Sequence, residues 1–370
     1  MGRRRRPLEN LEIMFDDFFK GKRVFITGHT GFKGSWLAIW LQSLGAEVTG
    51  FSLDPHTERD NYVLSGIGSK INDLRGDIRD MQALGKAMEE SRPEIVFHLA
   101  AQPLVRLSYE IPVETYQTNL MGTINVMEAI RATPGVRVAV MITTDKCYDN
   151  KERLTGYKES DPFGGYDPYS SSKGCCEIAI QSWRRSFFNP EDYGVKHNVS
   201  LASVRAGNVI GGGDWALDRI VPDCIKAIEA DKEIEIRSPK AVRPWEHVLE
   251  PLGGYMLLAR KMWEDPTGYC EGWNFGPEAD SVLTVWEVAS QLIKEYGKGS
   301  LKDVSSPGAL HEANLLMLDI TKAKTRLGWK PRLSARECIA LTADWYRRYR
   351  SMPVYELCLE QIRRYSGKAF

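Results

Sequence analysis

A chain of 370 residues, 43% hydrophobic and 26% charged, is too long for one ordinary core and reads as a globular protein of two lobes. Its 49 basic and 49 acidic residues cancel, so no overall field draws it to nucleic acid or an anionic membrane, and no apolar run approaches the roughly 18 residues of a membrane span. Seven scattered cysteines without zinc-ligand spacing read as reduced thiols of a cytoplasmic protein and offer no metal site.

Residues 1–13 open with the basic tract Gly2-Arg3-Arg4-Arg5-Arg6-Pro7 and precede a second methionine, Met14; they read as an unstructured arm outside the fold. Lys22–Thr27 is a β-rich run. Gly34–Leu44 then carries Leu37, Trp40, Leu41 and Leu44 at helical spacing and stops at Gly45, and Glu47–Leu53 is a second strand. The alternation continues with a strand at Ile71–Leu74, a helix at Asp80–Glu90 capped by Asp80, and an apolar strand at Glu94–Leu99. One long helix is predicted over Val113–Ala132, a strand over Val136–Thr143, a helix over Pro168–Phe188 and a strand over Val199–Val204. Strands alternating with helices imply an α/β fold, a Rossmann-type doubly wound parallel sheet over residues 14–206.

After Gly207 the segments shorten. Helices are expected at Asp218–Ala230, Leu249–Trp263, Val285–Glu295 and, as the last, Ser334–Arg348; strands are expected at Glu233–Ile236, Trp273–Phe275 and Leu315–Leu318. Residues 207–370 thus read as a smaller C-terminal α/β substrate-binding lobe, with some chain returning to the first.

Two motifs carry chemistry. Thr27-Gly28-His29-Thr30-Gly31-Phe32-Lys33-Gly34 lies between the first strand and the first helix, where glycines let the backbone approach a pyrophosphate and the helix offers its free N–H groups to the anion. Asp54 is the nearest acid to the second strand's end, past the usual position held by Phe51, and equally fits a turn before Pro55; no arginine adjoins it, which favours NAD over NADP. Asp77 and Ile78 follow the third strand, in place to contact adenine. Tyr169-Ser170-Ser171-Ser172-Lys173 puts a phenol and an ammonium on one helical face, and the lysine charge is expected to lower the tyrosine pKa so that the phenolate acts as base for a substrate hydroxyl.

These two motifs, with Phe97-His98-Leu99-Ala100-Ala101-Gln102 and the Asn119-Leu120-Met121-Gly122-Thr123 segment, resemble the extended short-chain dehydrogenase/reductase superfamily, in its nucleotide-sugar epimerase/dehydratase branch, over nearly all of residues 20–350. The resemblance implies NAD held by Gly28, Thr30, Gly31, Phe32, Gly34, Asp77, Ile78, Leu99, Ala100, Ala101, Gln102, Asn119, Tyr169 and Lys173. Thr143–Tyr148, Val204–Trp215 and Arg243–Val248 narrow it to dehydratases of a cytidine-linked glucose, whose 4-keto-6-deoxy product feeds deoxysugar and O-antigen synthesis. Its implied chemistry removes hydrogen at C4, loses water across C5 and C6, and returns the hydrogen at C6. Tyr169 is the redox base, Thr144 hydrogen-bonds the C4 hydroxyl or the resulting ketone, and Asp145 is the candidate acid for the C6 hydroxyl. Thymidine-type relatives carry glutamate where this chain has Lys146, which leaves Lys146 either the C5 base or a charge partner that orients Asp145. Asn208, Arg219 and Arg243 lie in segments implied to bind the nucleotide diphosphate, the alternative for each being a surface or interlobe salt bridge; His311 is a weaker candidate for the same cleft. A nucleotide-sugar 4-epimerase would use the same tyrosine and lysine but has no need of the acid–lysine pair, and a dehydratase for another nucleotide-linked glucose remains an alternative. Helices 113–132 and 168–188 are long enough to pair subunits in a dimer or tetramer.

Overall fold

The computed structural model describes residue 15 and residues 17–278, 281–305 and 316–367; the basic arm, His311 and Leu315 lie outside them. In chain order the strands are β1 (Arg23–Thr27), β2 (Glu47–Ser52), β3 (Asn72–Arg75), β4 (Ile95–His98), β5 (Val138–Ile142), β6 (Ser200–Ala206), β7 (Asn208–Ile210), β8 (Ile234–Ile236), β9 (Val242–His247), β10 (Gly272–Phe275), β11 (Val282–Thr284) and β12 (Leu301–Asp303).

Seven of them form one parallel sheet in the order β10-β6-β5-β4-β1-β2-β3. The chain winds outward from β1 in one direction and from β4 in the other, so a crevice opens beyond the carboxyl ends of β1 and β4. Side chains alternate between the faces. Val24, Ile26, Ile95 and Phe97 join the core beneath helices Phe32–Ser43 and Leu249–Glu264, while Phe25, Val96, Ala139 and Met141 join the core beneath Met81–Ser91, Gly122–Ala132 and Pro168–Ser186. Burial on both faces explains why these strands read as unbroken apolar runs. Asp80 caps its helix as expected, accepting from the N–H groups of Gln82 and Ala83, and Gly45 follows the first helix at φ +80°.

The departures have local causes. The helix predicted over 113–132 is interrupted: Pro112–Tyr116 and Gly122–Ala132 flank a π turn at Gln117–Met121, centred on the buried Asn119. A further short helix, Val105–Glu110, precedes it, and Val354–Ser366 follows the helix expected to be last. Leu318 makes only an isolated bridge to Tyr157. Beyond Gly207 the chain builds the small sheets β11-β9-β7 and β12-β8, but it also supplies β10 to the main sheet and the helix Leu249–Glu264 beneath β5 and β6.

Candidate active site

The cradle between β1 and the helix Phe32–Ser43 is built from backbone. Gly28 has φ +79°, and a Cβ there would lie 2.7 Å from the Ala100 nitrogen; a Cβ on Gly34 would lie 2.1 Å from the Gly28 carbonyl oxygen. Gly31 is the helix N-cap and differs: a Cβ on it meets nothing closer than 3.4 Å, and no side chain caps the helix. Open space over uncapped N–H groups at a helix start fits a dinucleotide pyrophosphate. The segment Leu99–Gln102 runs against this turn, tied by the Ala100 N–H to the Thr27 hydroxyl at 3.3 Å. Thr30 bonds the Ser52 hydroxyl at 2.7 Å and donates to the Leu53 carbonyl, pinning the cradle to the end of β2. Phe32 turns away, its ring lying 3.0 Å from where a Gly211 Cβ would be, so this residue faces the cradle through its backbone.

At the adenosine end the arrangement is more charged than the sequence suggests. Asp54 is exposed and paired with Arg75 at 3.0 Å; Arg75, at the end of β3, also bonds Asp73 and the Tyr62 hydroxyl. An arginine does adjoin Asp54, contrary to the expectation, because β2 and β3 pair with Ser52 opposite Arg75. Asp77 is held by Arg79, which keeps its carboxyl below the usual range against the opposing effect of burial. Ile78 packs against Gly122. Asn119 has both ends of its amide bound within the protein: it accepts from the Gln102 N–H at 2.8 Å and donates to the Gln102 carbonyl and the Ser172 hydroxyl. It fastens the β4 loop to the Tyr169 helix.

The reactive cluster hangs on a buried ion pair. Glu177 and Arg205, both fully buried, meet at 2.8 Å, and Glu177 also accepts from Thr143 and Ser203. This anchors the chain leaving β5, where Thr144 caps a single turn, Asp145–Cys147. Thr144 donates to Asp145 Oδ1 at 2.9 Å and also bonds the Tyr169 phenol. Lys146, one-third exposed, lies 3.8 Å from the same oxygen of Asp145. The other oxygen, Oδ2, is buried without a protein partner. Asp167 caps the helix that carries Tyr169 and Lys173. The structure therefore brings Thr144, Asp145, Lys146 and Tyr169 together.

The expected effect of Lys173 on Tyr169 needs correction. Burial raises the phenol well above its ordinary value; Asp145 and Asp167 push the same way, while Thr144 and Arg219 oppose them. Lys173 is itself lowered by burial, with Cys176, Glu177 and Cys147 as the titratable groups beside it. The polypeptide alone thus holds Tyr169 protonated.

The family model described as GDP-mannose 4,6 dehydratase matches residues 25–342. A CDP-glucose 4,6-dehydratase of Salmonella typhimurium is 47% identical over 331 residues, covering 90% of this chain and 92% of that protein. The chain belongs to the GDP-mannose 4,6 dehydratase family. A CDP-paratose 2-epimerase of Salmonella typhi is 24% identical, over 87% of this chain and 98% of its own. Among solved structures, the epimerase Mth375 of Methanothermobacter thermautotrophicus superposes with a TM-score of 0.75 at 22% identity, covering 97% of this chain and 99% of that one. A dTDP-glucose 4,6-dehydratase of Streptomyces venezuelae, solved with NAD bound, gives 0.73 at 22%, covering 88% and 97%. These structural likenesses show the shared fold.

Within this family member, two residues join the site that sequence reading passed over. Lys33, inside the cradle motif, reaches the charges of Glu246, Arg219, Asp145 and Lys173; burial lowers its pKa while Glu246 opposes. Glu246, in β9, is 1% exposed with no side-chain hydrogen-bond partner, and burial raises it well above the carboxylate range. The signal lay in the two motifs themselves, a lysine between Phe32 and Gly34 and an acid between Trp245 and His247. Asn208, at the start of β7, also has a buried amide nitrogen without a partner, next to Gly207, whose Cβ would lie 3.3 Å from Asp145 Oδ2. Arg219 is paired with Asp214 at 2.7 Å and its charge acts on Tyr169, whereas Arg243 donates to the carbonyl of Val242. Trp215 and Trp245 are core residues.

Proposed function

We propose that this chain is a hydro-lyase that converts CDP-D-glucose to CDP-4-dehydro-6-deoxy-D-glucose with NAD, supplying a deoxysugar precursor of the kind used in O-antigen. The observation that carries this reading is the joining of Asp145 to Tyr169 through Thr144, close to the glycine cradle: a redox base and an acid stand in one place. An epimerase needs only the base.

NAD is held by the backbone of Gly28, Gly31 and Phe32, with Thr30, Leu99, Ala100, Ala101 and Gln102 shaping the cradle. Nicotinamide bound there would supply a reversible two-electron acceptor for the hydrogen exchanged between C4 and C6, and its positive charge would counter the burial that keeps Tyr169 protonated. Tyr169 then takes the proton of the C4 hydroxyl, with Thr144 hydrogen-bonded to that group. The resulting ketone acidifies C5, whose proton Lys146 removes from its place beside Asp145. Asp145, whose Oδ2 has no hydrogen-bond partner in the protein, protonates the departing C6 hydroxyl. Arg219 and Arg243 suit the diphosphate, and the unpartnered amide of Asn208 suits a sugar or phosphate oxygen.

The enzyme works as a cytoplasmic homo-oligomer, a dimer or tetramer, in keeping with seven free thiols and with Val113, Met121 and Ile178 exposed on the paired helices at 113–132 and 168–186. A monomer in sedimentation at micromolar concentration would remove the oligomer from this reading.

Incubation with CDP-, dTDP-, UDP- and GDP-glucose plus NAD tests the activity. The 4-keto chromophore in alkali is expected with CDP-glucose; a changed sugar configuration without ketone identifies an epimerase instead. Tyr169→Phe is expected to lower kcat by about 10³-fold or more with NAD affinity preserved. Undiminished turnover of that variant contradicts the redox role.

A further inference from the structure

Dehydration of the hexose leaves a proton imbalance inside the site. The electron pair removed at C4 is restored at C6, and the proton removed at C5 is restored at C5, so both cancel. Two other protons do not. The hydrogen of the C4 hydroxyl ends on Tyr169, and the hydrogen that Asp145 gives to the C6 hydroxyl leaves in water. Every turnover therefore ends with Tyr169 protonated and Asp145 ionised, and the next requires the reverse.

We infer that Thr144 is the proton relay that resets the site, passing the proton gained by Tyr169 to Asp145 without recourse to solvent. The inference rests on the proposed roles of Tyr169 as base and Asp145 as acid. Its geometry is the chain of hydroxyls already described: Thr144 bonds the Tyr169 phenol and donates to Asp145 Oδ1 at 2.9 Å. A hydroxyl that donates to one neighbour has lone pairs to accept from the other. The Tyr169 O–H bond breaks as a new O–H bond forms on Thr144; the original Thr144 O–H bond breaks as one forms on Asp145 Oδ1. No atom is lost and no co-reactant is needed. A half-turn of the carboxyl then presents the proton from the side where Oδ2 now stands without a protein partner.

Burial favours an internal route. Asp145 is 1% exposed, Thr144 7% and Tyr169 8%, so none has ready exchange with bulk water. Thr144 is also fixed in position: the preceding residue, Thr143, is bound to the buried Glu177, and the Thr144 oxygen accepts from the Lys146 N–H at 3.4 Å. Hydrogen bonds placed in this way cost no reorganisation when the proton moves.

The test compares Thr144→Val with Thr144→Ser in steady-state turnover of CDP-glucose, across a series of imidazole buffer concentrations at fixed pH and ionic strength. The valine variant is expected to lose about 100-fold or more in kcat with KM changed less than about threefold, and added imidazolium is expected to restore part of the rate by protonating Asp145 directly. The serine variant, which keeps a hydroxyl, is expected to stay within about tenfold of the parent and to ignore buffer, as the parent does. A valine variant that turns over normally, or whose slow rate is independent of imidazole, overturns the relay; circular dichroism shows whether it folds, and if it does not, Thr144→Ala takes its place in the same series. Asp145→Asn separates this inference from the reading beneath it. Full activity of that variant contradicts the acid role itself, whereas its inactivity together with a buffer-insensitive valine variant leaves the acid role standing and removes only the relay.

Discussion

Two glycine-rich turns in this protein look alike as strings and do opposite work. In the turn Gly28–Gly34, the first and last glycines are required by close backbone contacts, while the middle one, Gly31, faces open space at a helix start. In the turn Gly211–Gly213 every position is filled. A Cβ would meet Val248 at 2.9 Å, the Trp345 ring at 1.9 Å and Asn61 at 2.4 Å, and the Gly212 carbonyl accepts from the Trp36 indole. The first turn keeps room for an anion; the second lets Trp345 and the chain around Asn61 close onto the turn, which the Trp36 indole ties to the helix Phe32–Ser43. Glycine content is therefore no marker of a phosphate site by itself. What surrounds the missing side chain decides which purpose it serves.

Substitutions at matched positions sharpen that contrast. The largest effect is expected from Gly212→Ala, whose methyl has no room against Trp345: a loss of about 3 kcal/mol or more in urea unfolding, or failure to fold. Unchanged stability there shows that the second turn is not packed as described.

Next comes a test of the packed region through pH. Glu250 accepts from the N–H groups of Arg332 and Leu333 and from the Tyr365 hydroxyl, yet burial pushes its pKa from 4.5 up to about 7. The folded state then holds this proton more tightly than the unfolded state. The resulting stability is fully present below about pH 4.5 and is lost as the pH rises through about 7. Glu250→Gln removes the titration, and thermal melts should show it gaining on the parent between pH 5 and pH 8 by up to about 3 kcal/mol. A constant difference across that range excludes Glu250 as the titrating group.

The smallest effect is expected at the open turn. Gly31→Ala has an ordinary φ of −73° and space for its methyl, so folding should change by less than about 1 kcal/mol. NAD affinity, measured by calorimetry, should fall about tenfold or more because the methyl occupies the anion's place. An alanine variant that binds NAD normally breaks the comparison between the two turns.

Much of this architecture was legible in the order of residues. The strands β1, β2, β4, β5 and β6 and the helices between them carry period and end signals of their own, such as Asp80 at an N-cap and Gly45 after a C-cap. The π turn at Gln117–Met121 was not legible, since one extra residue in a turn leaves helical spacing on either side intact. The strands β7 and β12 were missed because three residues hold too little pattern to stand out, and β9 because Arg243, Pro244 and Glu246 break its apolar run. In the site, Tyr169, Lys173, Thr144 and Asp145 could be named from motifs, and so could the cradle glycines. Lys33 and Glu246 lie inside motifs that could be quoted, but what singles them out is that they face each other in the site, which only the fold shows.

The amino-acid sequence by itself determined the alternation of strand and helix, the glycines that permit a tight turn at β1, and the four-residue spacing that sets Tyr169 and Lys173 on one helical face. All three are local properties of backbone geometry and side-chain period. Only the tertiary structure decided that Thr144 links the phenol to Asp145, that Arg75 stands beside Asp54, that β10 returns to complete the sheet, and that burial sets Tyr169 above its ordinary pKa. Those depend on which distant segments exclude water together, and nothing in a local pattern specifies that.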